Sequence, residues 1–307
     1  MEQQEIQAQL RRIEQAAGLD LTTLELERLG GLTNRNYRLE SPSGSFVLRL
    51  AGAGTSEYID RQAEEFNARL ASQAGVNAEI LFFDAHDGTM LSGYLLNSQT
   101  MSVAAFRDPG ALQRAGLALR RLHGCGRLFR GRFDLFQQID RYMAVLEKKS
   151  AELPPGYAQV LDKAEAVRHA LALHPVELAP CHCDPLVENF LDTGESMKII
   201  DFEYSGNNDP MWDLGDLSVE GGFSEDQDRQ LLASYFGPLP DPKDHARMVM
   251  YKAMCDLLWT LWGVVQHVDG NPVDDFWSYA VTRLQRCREL MAQEDFARHL
   301  CVLGVNA

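Results

Sequence analysis

Five polar side chains that could carry chemistry fall in one short stretch of the chain, residues 179–205. They are His182, Asp184, Asn189, Asp201 and Glu203. Carboxylate and amide oxygens are the ligands that hard cations such as Mg2+ take, and proteins often share this ion with phosphate groups. The stretch therefore predicts a site where a divalent cation and a phosphorylated ligand meet.

The residues between these side chains predict a hairpin that would bring them together. Two apolar pieces, residues 190–191 and 197–200, flank the sequence Asp-Thr-Gly-Glu at residues 192–195. An Asp-x-Gly sequence between apolar runs is typical of a tight turn. The polar side chains before and after the hairpin would then lie together at its open end.

The spacing of these residues indicates a particular chemistry. His182-x-Asp184-x-x-x-x-Asn189 followed by Ile-Asp201-Phe has the layout of a kinase catalytic loop and its metal-binding aspartate. In that layout one Asp accepts the proton of the attacking hydroxyl, and the Asn and second Asp hold metal on nucleotide phosphates. The alternative is an acidic hairpin on a solvated surface. Bulky apolar neighbours of Asp201 argue against it, because a buried carboxylate needs a partner.

Composition restricts the partners of the chain. Its 307 residues are 45% hydrophobic and 24% charged, which suits one large domain or two subdomains. The net charge of −15 argues against nucleic acid, whose phosphates attract basic patches, and weakly favours a cationic substrate. Residues 1–5 are polar and acidic, so no signal peptide is expected. The longest apolar-rich stretch, residues 257–265, is too short to cross a membrane.

The cysteines are scattered except around His182. They are Cys125, Cys181, Cys183, Cys255, Cys287 and Cys301. Zinc is the weaker hypothesis for Cys181-His182-Cys183, because adjacent strand residues point to opposite faces and no second Cys pair follows. We therefore expect free thiols in a reducing cytoplasm.

Periodicity predicts a β-rich first part and a helical remainder. A helix with Ile6, Leu10 and Ile13 on one face ends near Gly18. We then predict a helix over residues 60–74 and strands over residues 24–29, 37–40, 45–50, 78–83 and 90–96. After a hinge at residues 96–101, helices are expected over residues 109–123, 137–149, 157–172, 225–235, 242–267 and 273–300. We place the domain boundary between a nucleotide-binding lobe, residues 1–97, and a catalytic and substrate lobe, residues 98–307.

Two features of the β-rich part could face phosphate. Gly30-Gly31 lies between two strands, where backbone N–H groups could cover phosphate, although a plain hairpin explains it too. Arg49 is a lone cation in an apolar strand, so it lies either exposed at a sheet edge or inward toward phosphate oxygens. Glu64 in the next helix either pairs with Arg49 or is a solvated helix charge.

An aromatic pair marks the helical part. Trp259 and Trp262 are spaced for one face of a helix. Core packing is the common fate of such residues. The alternative is an aromatic wall that binds a quaternary ammonium group through cation–π contact. Glu203 and Glu220 could supply negative charge beside it.

Assembled, these blocks resemble the choline/ethanolamine kinase family, within the protein-kinase-like superfamily that includes aminoglycoside phosphotransferases. The resemblance covers about residues 24–290. Its strongest blocks are residues 30–34, 47–50, 182–189, 200–204 and 259–262. Glu203-Tyr204, residues 209–213 and the Trp pair favour the choline kinase branch. The family usually has Asn and Leu around the first Asp, where this chain has Cys183 and Pro185.

The resemblance implies an α+β, protein-kinase-like fold with a small antiparallel β lobe, a large mainly helical lobe, and ATP with Mg2+ in the cleft. It implies Asp184 as catalytic base, and Asn189 and Asp201 as catalytic residues that hold the metal. The residues implied to bind the nucleotide are Gly31, Thr33, Asn34, Arg49, Glu64 and Leu95. Those implied to line the alcohol pocket are Glu203, Tyr204, Glu220, Trp259, Trp262 and Tyr279.

The expected function is ATP-dependent phosphorylation of the hydroxyl of choline or a related amino alcohol such as ethanolamine. The expected partner is this small molecule, with no nucleic acid and no membrane, while a homodimer is left open. One alternative is a kinase of the same fold for an aminoglycoside, thiamine, homoserine or a sugar. A second is a nucleotide-binding pseudokinase that acts as a sensor. It would need a broken catalytic set, whereas Asp184, Asn189 and Asp201 are all present.

Overall fold

A five-stranded antiparallel sheet forms the first part of the chain in this computed structural model, which describes residues 2–31, 34–52 and 59–304. The strands lie in the order β1-β2-β3-β5-β4, and each is hydrogen-bonded to its neighbours. The order follows the chain except that β5, and not β4, pairs with β3. They are β1 (Glu25–Arg28), β2 (Arg35–Ser41), β3 (Gly44–Leu50), β4 (Ile80–Phe83) and β5 (Met90–Gly93). The predicted strands are confirmed, although β5 is shorter than expected.

Two helices accompany this sheet. α1 (Glu2–Ala17) buries Ile6, Leu10 and Ile13 in a small core shared with the sheet, as the spacing predicts. α2 (Arg61–Gln73) lies between β3 and β4 in the chain. The carboxylate of Asp60 caps its start by accepting hydrogen bonds from two backbone N–H groups, which stabilises the helix end.

The larger lobe is mainly helical and is packed around one long buried helix, α8, which contacts α4, α6, α9 and α10. Its helices are α3 (Pro109–His123), α4 (Leu135–Lys148), α5 (Tyr157–Leu173), α6 (Pro210–Gly221), α7 (Glu225–Phe236), α8 (Pro242–Val268), α9 (Phe276–Met291) and α10 (Glu294–Val302). The antiparallel β lobe followed by this helical lobe confirms the predicted α+β, two-lobe architecture.

The structure departs from the sequence predictions at three places in this lobe. The single helix over residues 273–300 is two helices, because Gln293 adopts an extended conformation between α9 and α10. Helix α6 was not predicted, since it is buried on most of its surface and its polar residues hide the helical period. α8 is long and apolar enough to cross a membrane, contrary to expectation; 83% of its most apolar window is buried inside the protein, as in a core helix.

Short strands support the predicted hairpin. The hairpin is β8 (Phe190–Asp192) and β9 (Met197–Ile199), which pair antiparallel and confirm the prediction. β6 (Gln99–Thr100), inside the predicted hinge, extends this sheet by pairing with β8. A second small sheet joins β7 (Ala179–Cys181) to β10 (Gly206–Asn208). The boundary between residues 97 and 98 stays a prediction.

Candidate active site

The loop before Asp184 is held by α6. The two carboxylate oxygens of Asp213 accept hydrogen bonds from the backbone N–H groups of His182, at 2.7 Å, and Cys183, at 2.8 Å. The indole N–H of Trp212 donates to the carbonyl of Cys183 at 3.1 Å. Cys183 has φ +68°, which a residue other than glycine adopts only when its surroundings impose it. Asn tolerates this conformation well, which explains why Asn is usual there in the family.

Hydrogen bonds also tie this loop to the hairpin. The side-chain N–H of Asn189 donates to the carbonyl of Asp184 at 3.2 Å. The backbone N–H of Ile200 donates to the carbonyl of Asn189 at 2.9 Å, and His182 Nε2 donates to the carbonyl of Ile200 at 2.8 Å. Asp201 follows directly, in a left-handed conformation with φ +67°. The loop and the start of the Asp201 segment therefore form one hydrogen-bonded unit.

Electrostatics show that the carboxylates of the site are crowded. Burial raises the pKa of Asp184 well above its usual value, and Asp201, Glu220 and Glu203 raise it further. Burial also raises the pKa of Asp201, against the opposing charge of Arg49. Burial and the neighbouring Asp201 raise the pKa of Glu203 to about 7. An excess of enclosed negative charge is what a cation would relieve.

The donor set fits a hard cation. Carboxylate oxygens of Glu64, Asp201 and Glu203 lie within 4.8 Å of one another. The Asn189 amide nitrogen is engaged with the loop, so its oxygen is the atom available as a ligand. Oxygen ligands alone suit Mg2+ rather than a thiophilic metal. That Asn189 and Asp201 hold the ion stays a prediction.

Arg49 points inward and not to a sheet edge. It is 3% exposed, and its guanidinium lies 2.5 Å from Glu64, which is 2% exposed. Of the two alternatives for Glu64, pairing with Arg49 is therefore the one that the structure shows. The guanidinium also lies 3.5 Å from Asp201 and donates to the carbonyl of Gly88 at 3.2 Å. Its proposed contact with phosphate stays a prediction.

Three of the other four residues predicted to bind the nucleotide lie in the described part of the chain. A Cβ on Gly31 would lie 2.5 Å from the carbonyl oxygen of Asn34, so the turn requires glycine there. The amide N–H of Asn34 donates to Glu203 at 3.1 Å. The carbonyl of Leu95 accepts from a serine hydroxyl three residues later. Thr33 lies outside the described residues. The nucleotide contacts of all four stay predictions.

The predicted aromatic residues form one cluster. The rings of Tyr204 and Trp259 are 5.9 Å apart, those of Trp259 and Trp262 6.2 Å, and those of Trp262 and Tyr279 5.7 Å. The pairs meet edge to face, the geometry that aromatic quadrupoles favour. Phe276 also belongs to this cluster, at 5.4 Å from Trp262. Sequence reasoning missed Phe276, although it lies one helical turn before Tyr279.

The cluster is both core and cleft wall. Trp259 is only 5% exposed, and its indole N–H has no hydrogen-bond partner among the residues that the structure describes. Trp259, Tyr204 and Glu203 nevertheless border a cleft of about 170 Å³. Glu220 pairs with Arg283, whose guanidinium lies 4.8 Å from the centre of the Tyr279 ring. The negative charge of Glu220 raises the pKa of Asp184, so the acidic residues and the aromatic cluster share one region.

A two-lobe fold with an ion-paired strand arginine, a loop aspartate and a hairpin aspartate defines a kinase-type phosphotransferase. The fold carries β3, α2, the loop and the hairpin in the order that this class uses.

A sequence profile of the phosphotransferase enzyme family matches residues 25–251, and the chain belongs to this family. Protein LicA of Haemophilus influenzae is 32% identical over 270 residues, which cover 85% of this chain and 99% of LicA. A choline/ethanolamine kinase family protein from Mesorhizobium loti has a crystal structure with TM-score 0.89 and 51% identity, over 99% of both chains. The crystal structure of choline kinase LicA from Streptococcus pneumoniae matches with TM-score 0.79 and 28% identity, over 94% of this chain and 99% of that one.

These similarities confirm the resemblance to choline/ethanolamine kinases and the prediction of an enzyme. The protein is a kinase of small alcohols that uses ATP.

Proposed function

We propose that this kinase phosphorylates the hydroxyl of choline or a related amino alcohol such as ethanolamine, with Mg2+ as cofactor, in the cytoplasm. The names of its relatives support an amino-alcohol acceptor. A crystal structure of LicA in complex with AMP supports adenine nucleotide as the donor. Its sequence is 27% identical over 92% of this chain.

One observation carries this proposal. Only two residues of the chain separate Asp201, proposed to hold the metal, from Tyr204, whose ring packs edge to face on Trp259. Glu203 lies between them in the chain and borders the cleft that Tyr204 and Trp259 also line. Acidic and aromatic surfaces beside a phosphoryl-transfer centre suit a cation that also carries a hydroxyl. A neutral sugar acceptor gives no reason for negative charge enclosed beside the rings.

In the proposed mechanism, Asp184 accepts the proton of the acceptor hydroxyl as the oxygen attacks the γ-phosphate. Asn189 and Asp201 would hold Mg2+, which supplies positive charge to the phosphate oxygens. Arg49, fixed by Glu64, adds a second positive charge at the same place. The aromatic cluster orients the ammonium head, so that the hydroxyl lies in line with the phosphate.

An ADP-release assay with Mg·ATP tests this function. The acceptor panel contains choline, ethanolamine, its methylated forms, thiamine, homoserine, a sugar and an aminoglycoside. We expect turnover with one or more of the amino alcohols and background rates with the others. Preferred turnover of a neutral sugar would exclude the proposed acceptor class. Nucleotide binding without turnover on the whole panel would instead indicate a pseudokinase.

A further inference from the structure

The first residue of α2, Arg61, is a buried cation whose position the helix does not explain. Only 4% of its surface is exposed. A positive charge in the first turn opposes the helix dipole, which favours negative charge there. A buried charge also needs partners that compensate for lost hydration. Its neighbours, and not the stability of α2, must therefore account for Arg61.

Arg61 lies between two carboxylates of one cleft, to which the resemblance gives different roles, Glu64 on the nucleotide side and Glu203 on the acceptor side. Its Nη1 atom is 2.6 Å from Oε2 of Glu64 and 3.5 Å from Oε2 of Glu203. Glu64 uses its other oxygen for Arg49, at 2.5 Å. Glu203 also accepts a hydrogen bond from Asn34 at 3.1 Å. One guanidinium is thus shared by the nucleotide-side ion pair and the acceptor-side carboxylate.

The turn between β4 and β5 confines this guanidinium. Gly88 in that turn accepts a hydrogen bond from Arg49 at 3.2 Å. A Cβ on Gly88 would lie 2.8 Å from Nε of Arg61, and Gly88 has φ +72°. The backbone therefore approaches Arg61 as closely as glycine allows, which holds the bridge between the two carboxylates in one place.

We propose that Arg61 is a positioning residue that couples nucleotide binding to acceptor binding, an inference that rests on the proposed function. Arg61 bridges Glu64 and Glu203 through contacts of 2.6 and 3.5 Å. Glu64 can then hold Arg49 while Glu203 faces the acceptor cleft. Without Arg61 the two carboxylates would repel each other, so that ordering one half of the site would no longer favour the other.

Calorimetry measures this coupling directly. The dissociation constant of choline is determined with and without a non-hydrolysable Mg·ATP analogue, and the ratio of the two values is the coupling factor. Coupled sites typically show about 5- to 150-fold. We expect the coupling factor of the unmodified protein to lie in this range and that of Arg61→Gln to lie near one. Arg69→Gln is the matched control, because Arg69 is on the same helix in a half-exposed pair with Glu65.

Arg61→Lys keeps the charge but loses the planar guanidinium, so we expect a reduced coupling factor. If Arg61→Gln does not fold, the Arg61→Lys variant provides the test. A merely structural role would lower the unfolding temperature and both affinities while leaving the ratio unchanged, which would overturn the inference. A ratio of one in the unmodified protein would overturn it too. Failure of the unmodified protein to bind choline would count against the proposed function instead, and the ratio would then be measured with the alcohol that the ADP-release panel identifies.

Discussion

The catalytic loop and the aromatic cluster are built in different ways. Directional hydrogen bonds fix the loop. Asp213 accepts from two of its backbone N–H groups and Trp212 donates to one of its carbonyls, both from one helix. His182 donates to the carbonyl of Ile200, which follows the hairpin. The cluster is fixed by ring packing, in which Trp262 contacts several other rings edge to face. Few other side chains could make the hydrogen bonds that fix the loop, whereas other apolar side chains could fill the space of the aromatic cluster.

This difference suggests a division of labour. Hydrogen bonds that fix a backbone hold atoms to within fractions of an ångström, as proton and phosphoryl transfer require. Packed rings offer surface and shape, and a changed ring alters which acceptor fits. We therefore expect changes in the loop to lower kcat with every acceptor, and changes in the cluster to alter KM in a manner that depends on the acceptor.

Asp184→Ala should produce the largest effect. Because Asp184 is the proposed proton acceptor, its removal should lower kcat by roughly 10²- to 10⁴-fold with every acceptor. Binding of Mg·ATP, measured by calorimetry, should change little. Asp226→Ala, an exposed aspartate on α7, serves as the control. A variant that keeps full turnover would show that another group accepts the proton.

Asp213→Ala should come next, and should affect both stability and rate. Asp213 is fully buried and also lies 3.0 Å from Nε2 of His123, so its loss strands two backbone N–H groups and a histidine. We expect a loss of about 3 kcal/mol in the free energy of unfolding, measured by urea denaturation. The surviving folded protein should show a lower kcat with all acceptors. A specific effect on one acceptor would contradict the proposed division.

Trp262→Ala should have a smaller, selective effect. Loss of a cation–π wall costs about 0.5–2 kcal/mol, which corresponds to roughly a 2- to 30-fold rise in KM for choline. The kcat at saturating choline should stay within a few-fold. Trp277→Ala is a matched control, because Trp277 is on α9 but its ring contacts His267. An unchanged KM for choline would assign Trp262 to core packing alone.

The residues of the site were more predictable than the frame that holds them. The spacing of Asp184, Asn189 and Asp201 is local, so the hairpin could be inferred from one turn sequence. Asp213 was not predicted to hold the loop, because that role depends on a contact across 30 residues. Its helix, α6, does begin with a visible signal, Asp209 followed by proline.

Pairings between separate elements of the fold were the least predictable. The Arg49–Glu64 contact and the solvation of Glu64 were equally plausible from sequence, since only the packing of α2 against the sheet decides between them. Arg61 shows no unusual spacing at all, and its bridge depends on a residue 142 positions later in the chain. Contacts of this kind are set by tertiary structure, which local propensity does not encode.

Glu220→Gln should give the smallest effect and test the electrostatic part of the pocket. Glu220 pairs with Arg283, which also contacts Asp256 at 3.2 Å, so the arginine keeps a partner in the variant. Removing one negative charge should weaken attraction for a cation by about 1 kcal/mol, or roughly fivefold in KM for choline. 3,3-Dimethylbutan-1-ol has the shape of choline without its charge, so its KM should stay the same. Equal changes for both alcohols would mean that Glu220 supports the shape of the pocket through Arg283 and does not attract the ammonium group.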